Sequence, residues 1–378
     1  MKNVVLAGYA RSPFTPAKKG ELVKVRPDEL AAQVVRALVE RTGVEPGDIE
    51  DLLLGCAFPE GEQGFNVARL VGFLAELPLG VAGATVNRFC GSSMQAIHIA
   101  AGAIQMDAGE VFLCAGVESM TRIPMGGFNP LPHPGLYARY PQAFASMGET
   151  AENLAKKYGI ARRRQEEFAL ASQRKTAAAQ ATGRFDDEIV PIAWRGGTVK
   201  RDGCPRPDTT LVGLAELELA FDENGTVTAG TSSPLTDGAA GVLVCSEAYA
   251  ERKNLKPLAR IKSVAVSGCA PELMGIGPVL ATRKALQRAG LELADIDLVE
   301  LNEAFASQSL ACIDELGLDP AKVNLDGGAI ALGHPLGASG ARITGKAAAL
   351  LAREGKRYAL ATQCIGGGQG IATLLEAD

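Results

Sequence analysis

The stretch Val86-Asn87-Arg88-Phe89-Cys90-Gly91-Ser92-Ser93-Met94 places a cysteine where an extended apolar run meets a helix. Residues 82–86 predict a strand, and residues 93–104, rich in Ala, Ile and Met, predict a helix. Cys90 would then lie at a helix N-terminus, where free backbone N–H groups and the helix dipole favour a thiolate. Because free cysteines are also among the most buried residues, position alone leaves an inert core cysteine equally open.

Around this stretch, segments typical of buried strands alternate with segments typical of helices, which predicts an α/β fold. In the first half the pattern predicts strands at 4–8, 49–57 and 111–117 and a helix at 27–42 that Asp28 would cap. In the second half it predicts strands at 260–266, 296–301 and 357–362 and a helix at 278–289.

The two halves repeat each other. A shift of 247 positions superposes Arg36 on Arg283, and the same shift superposes identical residues at many further places. These include the pairs Arg41/Arg288, Gly43/Gly290, Asp48/Asp295, Leu54/Leu301, Ala57/Ala304, Phe58/Phe305 and Ser92/Ser339. We interpret the chain as a duplication of one α/β unit, with the two halves packed as a layered core.

The offset falls to 129 where Gly241-Val242-Leu243-Val244 matches Gly370-Ile371-Ala372-Thr373, so the first half carries 118 additional residues. This insertion is rich in turn residues and in charged helical segments, which is typical of a loop domain with a binding role. The predicted domains are an N-terminal core half (1–118 and 237–250), an inserted loop domain (119–236) and a C-terminal core half (257–378).

Composition excludes several classes of protein. The net charge of -5 argues against a nucleic-acid partner. The sequence contains no run of 18 uncharged apolar residues, so we expect no membrane span. The eight cysteines include no CxxC pair, which predicts reduced thiols and a cytoplasmic location rather than disulfides or a metal site.

The duplication also indicates where reactive residues should meet, because equivalent loops surround one pseudo-two-fold axis. Cys90 corresponds to Gly337, which ends the segment Gly333-His334-Pro335-Leu336-Gly337. Cys56 corresponds to Glu303, which follows Asn302, and Val117 corresponds to Cys364. His334 lies in a glycine-rich loop, unlike His98 on an apolar helix face, so we expect it to activate a nearby thiol. Backbone N–H groups after Cys364 would be able to bind an oxyanion.

Two glycine-rich segments imitate nucleotide-binding motifs. Gly340 to Lys346 matches most of a P-loop but lacks the final Ser or Thr and the preceding strand. Gly366 to Gly370 is followed by too few residues for a βαβ unit. Neither segment supports a nucleotide phosphate site.

At these residues the sequence resembles the thiolase family, and within it the degradative 3-ketoacyl-CoA thiolases. Six motifs over essentially the whole chain carry the resemblance: residues 86–94, Gly148-Glu149-Thr150-Ala151-Glu152-Asn153, Thr228-Ala229-Gly230-Thr231-Ser232-Ser233, Asn302-Glu303-Ala304-Phe305, Gly333-His334-Pro335 and Cys364-Ile365-Gly366.

The resemblance implies a thiolase-like fold and an acyltransferase that cleaves 3-oxoacyl-CoA with CoA through an acyl-cysteine. Cys90 would be the nucleophile, activated by His334, and Cys364 would move the proton of the acetyl-CoA carbon. One oxyanion hole would combine His334 with a water held by Asn302, and the other the N–H groups of Cys90 and Gly366. Ser233, Ala304 and Phe305 would line the pantetheine tunnel, and Met147 the acyl pocket.

The resemblance further implies coenzyme A as co-substrate with no cofactor or metal, and a homodimer or homotetramer, with membership of a β-oxidation complex left open. Acetoacetyl-CoA synthesis is the alternative activity, although Ser146 stands where enzymes preferring acetoacetyl-CoA carry a histidine. A decarboxylating ketosynthase would not need Cys364, and a non-catalytic lipid carrier would not need the whole set of reactive residues.

Overall fold

The computed structural model describes residues 2–377, and the predicted α/β fold is confirmed. The strands are β1 (Val4–Arg11), β2 (Thr15–Pro16), β3 (Asp51–Gly55), β4 (Ala82–Val86), β5 (Val111–Ser119), β6 (Ile192–Trp194), β7 (Gly197–Val199), β8 (Thr236–Ser246), β9 (Ala259–Gly268), β10 (Leu298–Leu301), β11 (Tyr358–Ile365) and β12 (Gln369–Glu376). The α-helices are α1 (Pro27–Thr42), α2 (Val67–Leu74), α3 (Ser92–Gln105), α4 (Pro134–Arg139), α5 (Met147–Tyr158), α6 (Arg162–Ala181), α7 (Leu211–Ala215), α8 (Glu247–Lys253), α9 (Gly277–Ala289), α10 (Ala306–Leu316), α11 (Ala329–Leu332) and α12 (Leu336–Glu354).

The two halves build equivalent sheets that join into one. The order is β10-β11-β12-β9-β1-β8-β5-β3-β4, with β2 added to β8. In the first half β3 pairs in parallel with β4 and β5, and β8 runs antiparallel between β5 and β1. The second half repeats this with β10 parallel to β11 and β12 antiparallel between β11 and β9. A short pairing of β1 with β9 joins the halves.

Two equivalent helices, α3 and α12, form the buried central layer. They cross closely, because a Cβ on Gly340 would lie 2.4 Å from the backbone nitrogen of Met94. Apolar side chains from both helices share one core with both sheets, and each fully buried large side chain contributes roughly 1.5–3 kcal/mol. Helices α1 and α2 cover the outer face of the first sheet, and α9 covers that of the second. The carboxyl ends of the parallel strands and the first turns of α3 and α12 therefore meet in the interior.

The start of helix α1 and the P-loop-like segment each bear on a prediction from the sequence. Helix α1 has the predicted bounds, but Asp28 is not its cap: Arg26 holds the N-cap position, Pro27 begins the helix, and the Asp28 carboxylate accepts from Arg26 and from the Glu29 N–H. Proline supplies the helical φ without needing an N–H partner, so no side-chain cap is required. The P-loop-like segment lies inside α12 and forms no loop.

The segment between β5 and β8 packs mainly against the second half. Ser172 on α6 donates to Glu303 at 2.7 Å, and Arg164 forms an ion pair with Asp314. At the other end the buried Arg11 of β1 contacts both carboxylate oxygens of Asp202, at 2.7 and 2.9 Å. The division into 1–118 with 237–250, 119–236 and 257–378 stays a prediction, and its residues 1 and 378 lie outside the described residues.

Candidate active site

The turn that bears Cys90 is held in a strained conformation between β4 and α3. Phe89 has a φ of +43°, which is rare for a bulky residue and costs of order 1–3 kcal/mol. The Asn87 side chain accepts from the Phe89 N–H at 2.9 Å, while the Ser92 hydroxyl accepts from the Arg88 N–H and donates to the Phe89 carbonyl. These local bonds over-determine the turn and fix Cys90 just before the N-cap Gly91.

Cys90 is buried, and burial favours the thiol over the thiolate that the helix N-terminus favours. Burial raises its pKa to about 11, although hydrogen bonds from the Gly366 N–H and from its own N–H favour the thiolate. The residue is only 8% exposed, so the loss of hydration opposes the effect of the helix N-terminus. A base must remove the proton before the sulphur can attack.

His334 supplies a neutral imidazole with a defined tautomer. Its Nδ1 lies 2.5 Å from the Ser339 hydroxyl, which itself donates to the Pro335 carbonyl at 3.1 Å. Because that hydroxyl has one proton, Nδ1 carries the ring hydrogen and Nε2 presents a lone pair. Burial, with a smaller effect of Arg342, lowers the pKa of His334 to about 3.

The loop before His334 brings the ring to this position. Gly333 has a φ of +99°, and a Cβ there would lie 2.6 Å from the Thr236 hydroxyl. That hydroxyl instead accepts from the His334 N–H at 3.0 Å. A side chain at position 333 would displace the histidine, so glycine is required there.

Asn302 faces the histidine from the end of β10. Its Nδ2 lies 3.3 Å from Nε2 of His334, consistent with an amide donating to the lone pair, and its buried Oδ1 has no protein partner among residues 2–377. The backbone is fixed by the neighbouring Asn324, which exchanges hydrogen bonds with both backbone groups of Leu301 and donates to Glu303. Glu303 also accepts from the Ile330 N–H, so one buried carboxylate ties β10 to the loop that carries His334.

Cys364 lies near the end of β11 and is completely buried. Burial raises the pKa of its thiol well above the ordinary value, and the neighbouring Cys90 raises it further. Both sulphurs therefore face the same small space, with the Gly366 N–H beside them. The structure places Cys90, Cys364 and Gly366 beside one another, and it pairs Asn302 with His334.

The residues expected to line the substrate channel adjoin this space. A Cβ on Gly366 would lie 3.6 Å from the Met147 sulphur, and Met147 packs against an apolar cluster that includes Cys364. Phe305 packs edge-on against Phe221 at 5.9 Å. The Ser233 N–H donates to the Ala304 carbonyl at 3.0 Å, so these two backbone segments run side by side.

Several residues at the site were not identified from the sequence: Ser339, Gln363, Gln369, Arg88, Glu118 and Met274. The duplication paired Ser339 with Ser92, and this was the only signal pointing to it. Glu118 accepts from the N–H groups of Ala57 and Gly337 and so joins the two halves at the site. Its role follows from long-range contacts that no local pattern reveals.

Two classes of structure are absent from residues 2–377. None of the helices there has the length and apolar character needed to cross a membrane. Across the same residues, no group of three or more His, Cys, Asp or Glu side chains is arranged to hold a metal ion.

Comparison with known proteins agrees with this fold. The model of the thiolase N-terminal domain matches residues 4–248, and that of the thiolase C-terminal domain matches residues 255–377. The chain is 50% identical to the 3-ketoacyl-CoA thiolase of Aliivibrio fischeri and 46% identical to that of Bacillus subtilis, each over 100% of both chains. Among solved structures, human mitochondrial 3-ketoacyl-CoA thiolase is 40% identical with a TM-score of 0.92, covering 100% of this chain and 99% of that one. The Bacillus anthracis acetyl-CoA acetyltransferase is 42% identical with the same TM-score and the same coverages.

Proposed function

The chain belongs to the thiolase family, and from this premise we propose how its residues divide the work of cleaving 3-oxoacyl-CoA with CoA. The enzyme produces acetyl-CoA and a shortened acyl-CoA, reversibly, with coenzyme A as its co-substrate. The observation that carries the assignment is that two backbone N–H groups, of Cys90 and Gly366, reach the sulphur of one buried cysteine. A group bonded to that sulphur would have both donors beside it.

In the first step the lone pair of His334 Nε2 takes the Cys90 proton while the sulphur attacks the 3-keto carbon. The oxygen of that carbon becomes an oxyanion, which accepts from the N–H groups of Cys90 and Gly366. Each such donor is worth roughly 3–4 kcal/mol in the transition state. Neutral His334 is the right partner for a protonated thiol, because an imidazolium could not accept the proton.

Collapse of this adduct breaks the bond between carbons 2 and 3. The electron pair passes to the acetyl-CoA fragment as an enolate, whose oxygen accepts from the newly protonated His334 Nε2 and from a water held by Asn302. The Cys364 thiol then protonates the enolate carbon and releases acetyl-CoA. Burial keeps Cys364 protonated beforehand, which is what a proton donor to carbon requires.

The second half of the reaction reverses these proton movements. The Cys364 thiolate takes the proton of the incoming CoA thiol, and the CoA sulphur attacks the acyl group on Cys90. The same two N–H groups receive the second oxyanion, and His334 returns its proton to the departing Cys90 sulphur. Both thiols and the imidazole end in their starting states, so the cycle balances.

For the substrate channel we propose that Ser233, Ala304 and Phe305 line the pantetheine arm and that Met147 borders the acyl pocket. Their proximity to Gly366 and to the apolar cluster around Cys364 supports this. Ser146 caps helix α5 by accepting from the Glu149 N–H, while the Glu149 side chain accepts from the Ser146 N–H. A histidine there would have to replace this capping box, which supports a preference beyond acetoacetyl-CoA.

Steady-state thiolysis of short, medium and long 3-oxoacyl-CoAs, combined with intact-protein mass spectrometry, tests the proposal. We expect turnover of each chain length that the pocket admits and, when CoA is withheld, an acyl mass adduct located on Cys90 by peptide mapping. Absence of thiolysis with all three substrates would refute the function, and an adduct on another residue would refute the assignment of the nucleophile.

We further propose that the enzyme is a homo-oligomer formed through strand β4. This strand ends the sheet, so one of its backbone edges is unpaired, and Phe65 and Leu79 beside it are 94% and 78% exposed. An open strand edge flanked by apolar side chains favours pairing with an identical edge. We expect light scattering with size-exclusion chromatography to show a dimer or tetramer that Phe65→Asp with Leu79→Asp dissociates, whereas Leu131→Asp does not. A monomeric wild type would contradict this.

The location of the enzyme and its place in metabolism are two further proposals. We propose a cytoplasmic enzyme, because none of the eight cysteines forms a disulfide. We also propose that the oligomer operates in β-oxidation, where a hydratase and dehydrogenase supply its substrate. Co-elution with such a subunit would place it in a complex, and separate elution would exclude a stable one.

A further inference from the structure

Two glutamines reach from the hairpin of β11 and β12 to the turn that bears Cys90. Gln363, directly before Cys364, is completely buried, and its Nε2 donates to the backbone carbonyl of Cys90. Gln369, the first residue of β12, accepts from the Arg88 guanidinium at 2.7 Å, and its Nε2 lies 3.5 Å from the Gly366 carbonyl. The contact of Gln363 with Cys90 and that of Gln369 with Arg88 join the first half of the chain to the second.

The proposed oxyanion hole depends on this junction. Its two donors, the N–H groups of Cys90 and Gly366, come from different halves, and no covalent bond or strand pairing between the two residues sets their separation. A displacement of about 1 Å in a catalytic group can reduce the rate by about 100-fold. Contacts that bridge the two backbones are therefore the means by which the two donors stay aimed at one oxygen.

Stability alone does not explain Gln363. Its Oε1 is buried without a protein partner among residues 2–377, which is unfavourable for folding. The neighbouring positions of β11 are almost all buried, so an apolar side chain of similar length would fit there without that cost. A residue that is unfavourable for folding and touches the nucleophile's backbone points to a role in catalysis.

We propose that Gln363, assisted by the Arg88–Gln369 pair, is a positioning residue that sets the separation between the N–H groups of Cys90 and Gly366. It does not touch the substrate, and it acts by holding the Cys90 backbone against β11. This inference rests on the proposed function, because it assigns both N–H groups to the oxyanion formed at the 3-keto carbon.

The substitution Gln363→Met tests the proposal, because methionine has a similar length and no donor. We expect kcat for thiolysis to fall about tenfold or more with KM changed less than about twofold, since the hole acts on the transition state. Exchange of the acetyl-CoA α-protons with D2O depends on Cys364, His334 and Asn302 rather than on this hole. The exchange rate of Gln363→Met should stay within about twofold of that of the wild type. The Tm of the variant should be unchanged or higher.

Gln165→Met is a matched control. Gln165 is equally buried, its Nε2 donates to the Ile160 carbonyl at 3.2 Å, and its Oε1 also lacks a protein partner among residues 2–377. The Gln165→Met variant should keep the kcat of the wild type. The Gln369→Met variant should lose kcat in the same way as Gln363→Met, but by a smaller factor. Normal thiolysis in Gln363→Met, or equal losses of thiolysis, α-proton exchange and Tm, would overturn the proposal. Absence of thiolysis in the wild type would instead refute the proposed function.

Discussion

Cys90 and Cys364 share one small space but differ in what surrounds each sulphur. Cys90 lies in a strained turn and is slightly exposed, and two N–H groups reach its sulphur. Cys364 is completely buried in a regular strand, and its neighbours include other thiols. Burial raises both pKa values, so both are thiols at neutral pH. The N–H groups of Gly366 and Cys90 both favour negative charge on the Cys90 sulphur, whereas the sulphur of Cys364 has the N–H of its own residue.

This difference indicates different duties for two chemically identical side chains. A nucleophile must become anionic during the reaction and then carry an acyl group, for which donors and some open space are needed. A proton donor to carbon must hold its proton until an enolate forms, which a dry apolar site favours. The fold places one cysteine at a turn and the other within a strand, and these settings support the proposed roles.

The substitution Cys90→Ser should produce the largest effect, because it removes the only group proposed to carry the acyl chain. We expect thiolysis to fall by at least about 10³-fold, since a hydroxyl is a far weaker nucleophile than a thiol under the same base. Stopped assays with acetoacetyl-CoA and a longer 3-oxoacyl-CoA measure this. Cys245→Ser, at a buried cysteine of β8, controls for the loss of a thiol, and full activity in Cys90→Ser would overturn the comparison.

Cys364→Ala should separate the two duties. The variant should still form some acyl-enzyme, but steady-state cleavage of the carbon–carbon bond should fall by roughly 10²–10⁴-fold, the range for loss of a general acid or base. The α-proton exchange of acetyl-CoA should fall in parallel, because Cys364 is the group that exchanges that proton. Normal turnover or normal exchange would show that another group moves the proton.

The sequence identified the loops that carry the proposed site residues, and the roles of those residues stay predictions. The shift of 247 positions aligned the loops of His334, Asn302 and Cys364 with loops of the first half, because duplicated strands end at equivalent places. Burial of Cys90 opposes the thiolate that the helix dipole favours, and the dipole is visible in a sequence pattern whereas the loss of hydration is not. Burial of the turn depends on α12 and β11, which are distant in the sequence.

Sequence patterns also could not predict the contacts between the two halves. Gln363 reads as one polar residue in an apolar strand, and only the structure shows its amide at the Cys90 carbonyl. Asp28 illustrates the local counterpart: an acidic residue near a helix start predicts a cap, but Arg26 holds the N-cap position and Pro27 begins the helix. Element type followed from periodicity, and the exact partners followed from tertiary packing.

The pH dependence of alkylation sharpens the comparison further. With a Cys90 pKa of about 11, the thiolate fraction, and so the rate of modification by iodoacetamide, should rise about tenfold per pH unit between pH 7 and 10. A pre-formed thiolate–imidazolium pair would instead give a rate that is flat over this range. Cys364 should react more slowly throughout, because its pKa is raised and its sulphur is buried. Peptide mapping of samples quenched at each pH measures both sites.

Ser339→Ala should have the smallest effect, because it leaves every reacting group in place. Losing the hydroxyl that accepts from Nδ1 of His334 removes one hydrogen bond, and the ring can then expose Nδ1–H or Nε2–H. We expect kcat to fall about tenfold, equivalent to about 1.4 kcal/mol, with little change in KM. Ser309→Ala, at a buried serine without a side-chain partner in residues 2–377, should leave kcat unchanged. An unaffected Ser339→Ala would mean that Asn302 alone fixes the tautomer, and the base at Cys90 would then depend on one contact instead of two.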